Sequence, residues 1–390
     1  MLNTKNISSG LATAIMACTG GAVLIIQAAD ALGLSRAEAL SWLFAVYVIG
    51  GALNLWLILR YKMPFAGAHS LTAVAFLSAS ALHYPIKELA GSFIMAGALI
   101  AVLGATGLFG KLLGLIPKPM LDAMLAGIVL HYVVAIIPAI KELPIIGLLS
   151  FLGFLIVPRL HKAIPPLLGM LAFGVIGLLI WHDFPTAEVA EFSMPHWISP
   201  SFTTGSFISI SIPIAILILS NDIAVSLAAL KKNGYNPPVN KTVVFSGLGT
   251  LLVGFFGGHA VNVGGMMTAL CSSEEAGERK SRIWAGIVCS VLVIVFGVFA
   301  GAMLVLINRL PSAFIVLLSG FSLAGVLIGN LQAVFSETTY RFSTLFAFII
   351  AIANVSFFGI SSPVWSLLIG CLIAKVLKEG KPKPVEAPSV

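Results

Sequence analysis

Few residues in this 390-residue chain have the chemistry to bind or transfer anything, and most of those lie inside apolar runs. Asp222 is the clearest, set in IPIAILILSNDIAVSLAAL. A charge in such a run costs about 2.5–3.5 kcal/mol to place at the centre of a bilayer, so it marks a pathway or a site. A carboxylate there can carry one proton or accept from the N–H groups of a ligand; the competing reading is a structural acid held by helix ends. Ser220 and Asn221 beside it can bond a ligand or satisfy backbone. His69 and His259 occur in two similar stretches, and a neutral imidazole either binds ligand, relays a proton or is merely satisfied by its neighbours. Ser70 and Asn262 lie within a turn of these histidines, and Gln27 is a further polar candidate. Gly67, Ala68, Gly258 and Ala260 complete the two stretches, where small residues let backbone approach a ligand.

The elements that carry these residues follow from composition. Hydrophobic residues make up 59% of the chain and charged residues 9%, with a mean hydropathy of +1.06. Soluble domains average about 45–50% apolar and about 25% charged. Too few charges remain to cover a soluble surface, which excludes an ordinary soluble enzyme, a nucleic-acid-binding domain and a disordered chain. The fold class is therefore an all-α polytopic membrane protein, with the lipid bilayer as its solvent. The net charge of +7 needs no nucleic acid as a partner, because Lys and Arg retained in cytoplasmic loops produce it.

A span needs about 20 apolar residues to cross roughly 30 Å of hydrocarbon. Apolar runs between charged or Pro/Gly breaks predict fourteen: 9–30, 38–59, 65–82, 89–110, 119–137, 143–158, 164–181, 204–230, 241–256, 258–272, 283–307, 311–332, 342–358 and 361–377. The start, with Lys5, an apolar stretch and Ala29-Asp30-Ala31, superficially resembles a signal peptide but is read as the retained first span. Only Arg36, Lys87, Lys141 and Arg309 fall on one side of this topology; all the rest of the 22 Lys and Arg fall on the other. The positive-inside rule then puts both termini in the cytoplasm and the protein in the cytoplasmic (inner) membrane.

Three pairs of landmarks share nearly one offset: His69 with His259, Pro117 with Pro311, and Asp30 with Asp222. The chain accordingly divides into a first seven-span repeat (1–182), a connecting loop (183–203), a second repeat (204–378) and a charged cytoplasmic tail (379–390). An odd number of spans per repeat inverts the second copy, the architecture of secondary transporters with a midplane site. Spans 3 and 10 begin with small and polar residues, Pro64 to Ser70 and Gly257 to Gly265. Such runs make poor straight helix, and irregular backbone at that depth is tolerated only where it is buried in protein or lines a cavity. They are read as extended stretches followed by half-helices, whose N-termini attract an anion or an acceptor-rich ligand. The alternative is that these glycines serve close helix packing, as read at Gly297 and Gly301.

The other polar residues are read as structural. Asp122 is placed as a helix-start acid, Asp30 at a span end, His131 as a structural residue of span 5, and Glu337 and Arg341 as a loop pair. Cys18, Cys271, Cys289 and Cys371 have no ligand spacing and are taken as packing residues. No catalytic residue, no metal ligand and no cofactor is predicted: there is no nucleophile–base pair or phosphate loop, so the chain is not read as an enzyme.

Several runs together resemble the benzoate:proton symporter (BenE) family: Ser41-Trp42, Arg60-Tyr61-Lys62-Met63-Pro64, Ala123-Met124-Leu125-Ala126-Gly127 and Gly234-Tyr235-x-Pro237-Pro238-Val239. The similarity runs over nearly the whole chain and is strongest from Ser220 through Trp284. That family is similar in fold to the nucleobase/ascorbate and sulfate permeases. The resemblance implies a core domain from spans 1–4 and 8–11, and a gate domain from spans 5–7 and 12–14 through which a homodimer can form. It also implies a ligand held between the half-helices of spans 3 and 10. Ser220-Asn221-Asp222 stands where the family reads roughly S-Q-N, and Gly67 to Thr72 where it reads A-W-S-T-P-G. Phe256 to Asn262 stays close to its F-G-x-x-x-I-N.

The expected function is proton-coupled symport of a small aromatic or organic anion, benzoate-like, by elevator-type alternating access. Its partners are that substrate and protons, with Asp222, His69 and His259 as candidates for proton coupling. Two alternatives stay open: a proton-coupled nucleobase permease binding its ligand through Asp222, and an uncoupled anion channel or exchanger.

Overall fold

The computed structural model describes residues 2–81, 84–109, 111, 117–160, 164–185, 195–355, 357 and 362–380. Those residues form helices and no strand. In chain order the helices are α1 (Thr4–Ala31), α2 (Arg36–Tyr61), α3 (Leu71–Ser80), α4 (Ile86–Ala105), α5 (Lys118–Glu142), α6 (Pro144–Leu160) and α7 (Pro166–Trp181). There follow α8 (Thr204–Lys232), α9 (Val239–Gly254), α10 (Gly265–Ser272), α11 (Ile283–Val298), α12 (Ala300–Asn308), α13 (Ser312–Ser336), α14 (Arg341–Ala353) and α15 (Ser362–Val376). Six of them, α1, α2, α4, α5, α8 and α13, are long and apolar enough to cross a membrane alone, and α3, α6, α7, α9, α14 and α15 are shorter apolar helices.

Local sequence explains several helix starts. Asn3 with Asn6 closes a capping box on α1, and Ser35 with Glu38 does the same on α2. Ser70 caps α3 by accepting from Ala73 N at 3.2 Å, and Thr203 caps α8 by accepting from Ser206 N. The segment expected as one span over 283–307 is instead two helices bent by 75°. The break falls at Phe299, between Gly297 and Gly301, where helix propensity is low. Gly297 packs its bare side on α2, where a methyl group would lie 2.8 Å from Tyr47 Cβ.

The helices sort by what they pack on. α4 lies along α9, α1 along α11 and α3, α2 along α11, and α8 along α10. α5 packs on α13 and α14, α6 on α7, and α14 on α15. α13 also reaches α1. Residues 186–194, with Glu188 and Glu191, and the tail beyond 380 lie outside the described residues. The rest of the connecting loop is not free: Ile198 N donates to Phe255 O at 2.8 Å and Ser201 N to Lys87 O at 2.8 Å, so it straps the end of α9 to the start of α4.

Two minor readings change. Asp122 makes no cap bond; it lies one turn inside α5, nearly buried, beside Lys118. Glu337 accepts from Thr339 N at 2.6 Å and from the Thr339 hydroxyl rather than pairing with Arg341, and these bonds hold its carboxyl below the usual range. Asp30 is exposed at the end of α1. His131 is exposed on α5.

Candidate functional site

The two broken stretches meet. Residues 64–70 and 258–264 are both non-helical, and they pair with each other through Asn262 N to Ala68 O (3.2 Å) and Gly264 N to Ala66 O (2.9 Å). A side chain at Gly67 would collide with the Asn262 carbonyl oxygen and the Gly264 nitrogen, so only glycine permits the crossing. Buried backbone away from regular structure needs partners. Side chains of the surrounding helices supply them. Asn54 of α2 donates to Asn262 O at 3.0 Å, and Thr250 of α9 both donates to Val261 O and accepts from Val261 N. Thr268 of α10 accepts from Ala66 N and donates to Ala66 O.

Beside the crossing lies a cavity of about 290 Å³. Leu71 and Thr72, in the first turn of α3, and Gly265, Met266 and Met267, in the first turn of α10, both line it. α10 has no side-chain cap. Two helix N-termini therefore present backbone N–H groups to one space, an arrangement that binds anionic or acceptor groups. Asp222 and Asn221 of α8 line the same cavity, as do Ala68 and His69. Asp222 sits in a π-helical turn (Ile218–Ile223), a distortion common at functional sites. Its Oδ2 is shielded and has no hydrogen-bond partner, while Ser70 and Asn262 stand beside it. The Asn262 side-chain amide is fully buried beside the carboxylate.

The two histidines face each other, ring centroids 5.2 Å apart, in different circumstances. His259 is saturated. Trp42 Nε1 donates to its Nδ1 at 2.9 Å, so the ring proton is on Nε2 and is given to Ser70 O at 3.0 Å. His69 Nε2 lies 3.1 Å from the Tyr47 hydroxyl. That hydroxyl spends its hydrogen on Ala17 O at 2.9 Å, so His69 Nε2 donates. Its Nδ1 is left as an acceptor without a partner. Gly21 makes room for the pair: a methyl there would lie 2.6 Å from the Tyr47 oxygen and 2.7 Å from His69 Nε2.

Not every expected residue reaches the cavity. Ser70 caps α3 and borders the Asp222 carboxylate without lining the cavity, and Gly67 is taken up by the crossing. Gly258, His259, Ala260 and Asn262 are fully buried behind the lining. Gln27 is bonded by Ser319 of α13 at 2.7 Å. Residues that sequence reasoning passed over do line it: Met16 of α1, Leu125 of α5, Leu167 of α7, and Ser322, Gly325, Gly329 and Asn330 of α13. Asn330 carried a readable signal, being an amide within an apolar helix like Asn221. Tyr47 and Trp42 carried none, since only the fold brings α2 against the histidines. A second recess of about 540 Å³ adjoins the first through Asn221, Val225, Gly329 and Asn330 and reaches Lys118 and Asp122. Among the described residues no group of three or more His, Cys, Asp or Glu is placed to hold a metal ion.

Comparison with known proteins gives the same direction. The family model for the benzoate membrane transport protein (BenE) matches residues 1–376. The chain is 29% identical over 375 residues to the inner membrane protein YdcO of Escherichia coli (strain K12), covering 95% of each. It is 26% identical over 374 residues to the benzoate membrane transport protein of Acinetobacter baylyi, covering 96% of this chain and 95% of the relative. In fold it is similar to the transmembrane domain of a cyanobacterial bicarbonate transporter, BicA (TM-score 0.61, 16% identity, 95% of this chain and 98% of that one). It is also similar to SLC26A9 (TM-score 0.57, 13% identity, 96% of this chain and 65% of that one). A multi-pass chain of apolar helices, matched by this family along almost its whole length, belongs to the benzoate membrane transport protein (BenE) family of membrane transporters.

Proposed function

We propose that the protein is a secondary active transporter that moves a small aromatic anion, benzoate-like, together with a proton. The observation that carries this reading is the convergence of two helix N-termini and one buried carboxylate on a single cavity. The N–H groups of α3 and α10 hold the substrate carboxylate. Asp222 takes the proton, so that the loaded site has no uncompensated pair of negative charges. The apolar lining, with Leu125, Leu167 and Val225, receives the ring.

The same reading has the chain cross the inner membrane as two inverted seven-span repeats with both termini cytoplasmic. α1 to α4 and α8 to α12 form the core, α5 to α7 and α13 to α15 the gate, which also offers a surface for a homodimer. The packing partners of each group support this division. Transport is an elevator-type displacement of one group against the other, and the recess reaching Lys118 is the route to the lysine-rich side. The benzoate transporter of Acinetobacter baylyi supports the substrate class. A nucleobase is the second reading, favoured by the Asp222 carboxylate in the cavity lining, which would accept from a ring N–H.

The test is uptake of labelled benzoate into proteoliposomes under an imposed pH gradient. The parent accumulates benzoate when the outside is acid, and Asp222→Asn abolishes gradient-driven accumulation while leaving the protein folded. Undiminished proton-driven uptake in that variant removes Asp222 from the coupling. Competition by unlabelled uracil instead of benzoate selects the nucleobase reading.

A further inference from the structure

The face of α13 that lines the cavity consists of Ser322, Gly325, Val326, Gly329 and Asn330, spaced three and four apart along one side of the helix. Glycine inside a helix costs stability relative to alanine. In membrane helices that loss is ordinarily offset by the close approach of a neighbouring helix. Gly320 on the same helix obeys this rule: a methyl group there would lie 2.7 Å from Tyr132 O. Gly51 and Gly104 obey it too, with contacts at 2.7 Å to Ile294 and Val244. At Gly325 and Gly329 a methyl group would meet nothing within 4 Å. These two glycines therefore serve no helix contact, and what they leave is bare backbone facing a void.

Independent features mark that void as a site that a ligand completes. His69 lines it, is 7% exposed, and has an Nδ1 with no partner. Asp222 lines it with an unpartnered Oδ2. His69 and Asp222 are thus polar groups in a largely apolar lining, a combination that suits a ligand with a polar edge.

We infer that Gly325 and Gly329 form a flat slot for the face of a planar ring and set the ring size the site accepts. Two glycines one turn apart present helix backbone with no Cβ to hold a ring off. Leu125 and Val225 add apolar contact, and His69 and Asp222 meet the ligand's polar edge. The inference rests on the transport reading for its ligand class, but the slot itself is a statement about shape and is separately testable.

The experiment compares the purified parent with Gly325→Ala, Gly329→Ala and Gly329→Leu. Thermal unfolding is measured without ligand, and binding is measured with benzoate, uracil and propionate. Both alanine variants should unfold at or above the parent's temperature, because the added methyl meets empty space and alanine is the better helix former. Gly329→Leu should still take propionate but bind the flat ring about tenfold more weakly or worse, since the new side chain overfills the slot. A destabilised alanine variant overturns the proposal, because the space would then be filled. So does ring binding unchanged in Gly329→Leu, propionate binding lost in equal measure, or a parent that binds neither ring. If uracil rather than benzoate is the ring that Gly329→Leu excludes, the slot stands and the aromatic-acid reading falls.

Discussion

His69 and His259 end up in neighbouring places, each at the tip of a broken stretch, each edge-on to the other. One is finished and the other is not. His259 gives and receives a hydrogen bond, to Ser70 O and from Trp42 Nε1, and has no ring atom left for a ligand. His69 gives one to Tyr47 and receives none. Both partners, Trp42 and Tyr47, come from α2, and a π-helical turn at Ala45–Ile49 carries Tyr47. Similar residues in similar local sequence thus acquire different chemistry from a third element. A saturated histidine ties the two stretches together; an unsaturated one faces the cavity.

That contrast can be broken or sharpened by substitution. The largest effect is expected at His259→Ala, which strands the Trp42 donor and the Ser70 acceptor and opens a hole, costing about 4 kcal/mol in thermal or denaturant unfolding. His69→Ala should cost about half of that in the same assay, while impairing ligand binding more. Equal stability losses would erase the distinction between strut and ligand-facing ring. Gly67→Ala falls between these two, at about 3 kcal/mol, because the methyl meets fixed backbone of the opposing stretch. Its counterpart Gly264→Ala should cost about 1 kcal/mol or less, since the nearest atom is the yielding sulfur of Met267 at 3.2 Å. Trp42→Phe should cost less than Gly67→Ala, about 1–2 kcal/mol, and leaves His259 with the same partnerless Nδ1 as His69. Imidazole nitrogen NMR of that variant should show the Nδ1 signal moving toward the position His69 occupies; an unmoved signal contradicts the bond. Tyr47→Phe is the least costly of the ring and hydrogen-bond variants, about 1 kcal/mol, and should lower ligand affinity by freeing the His69 ring to turn.

Much of this arrangement was legible before any coordinates. Asp222 stood out because an acid inside an apolar run has few reasons to be there. Gly67, Gly258 and Gly264 announced broken helix, and the breaks are where those residues put them. The bend at Phe299 was missed because apolar residues continue through it, and hydropathy does not register direction. The slot on α13 was missed for a different reason. Gly325 and Gly329 look in sequence like Gly320, and only the presence or absence of a neighbour separates a packing glycine from one that leaves space.

Sequence alone determined the solvent, the helices and the residues eligible for chemistry, because hydropathy, caps and helix breakers act over a few neighbouring positions. Tertiary structure decided which eligible residues remain unsatisfied. Whether a histidine has a lone pair to offer depends on Trp42 and Tyr47, far from His259 and His69 in the chain. Hydrogen bonds are short and directional, so their partners are fixed only when the helices are packed.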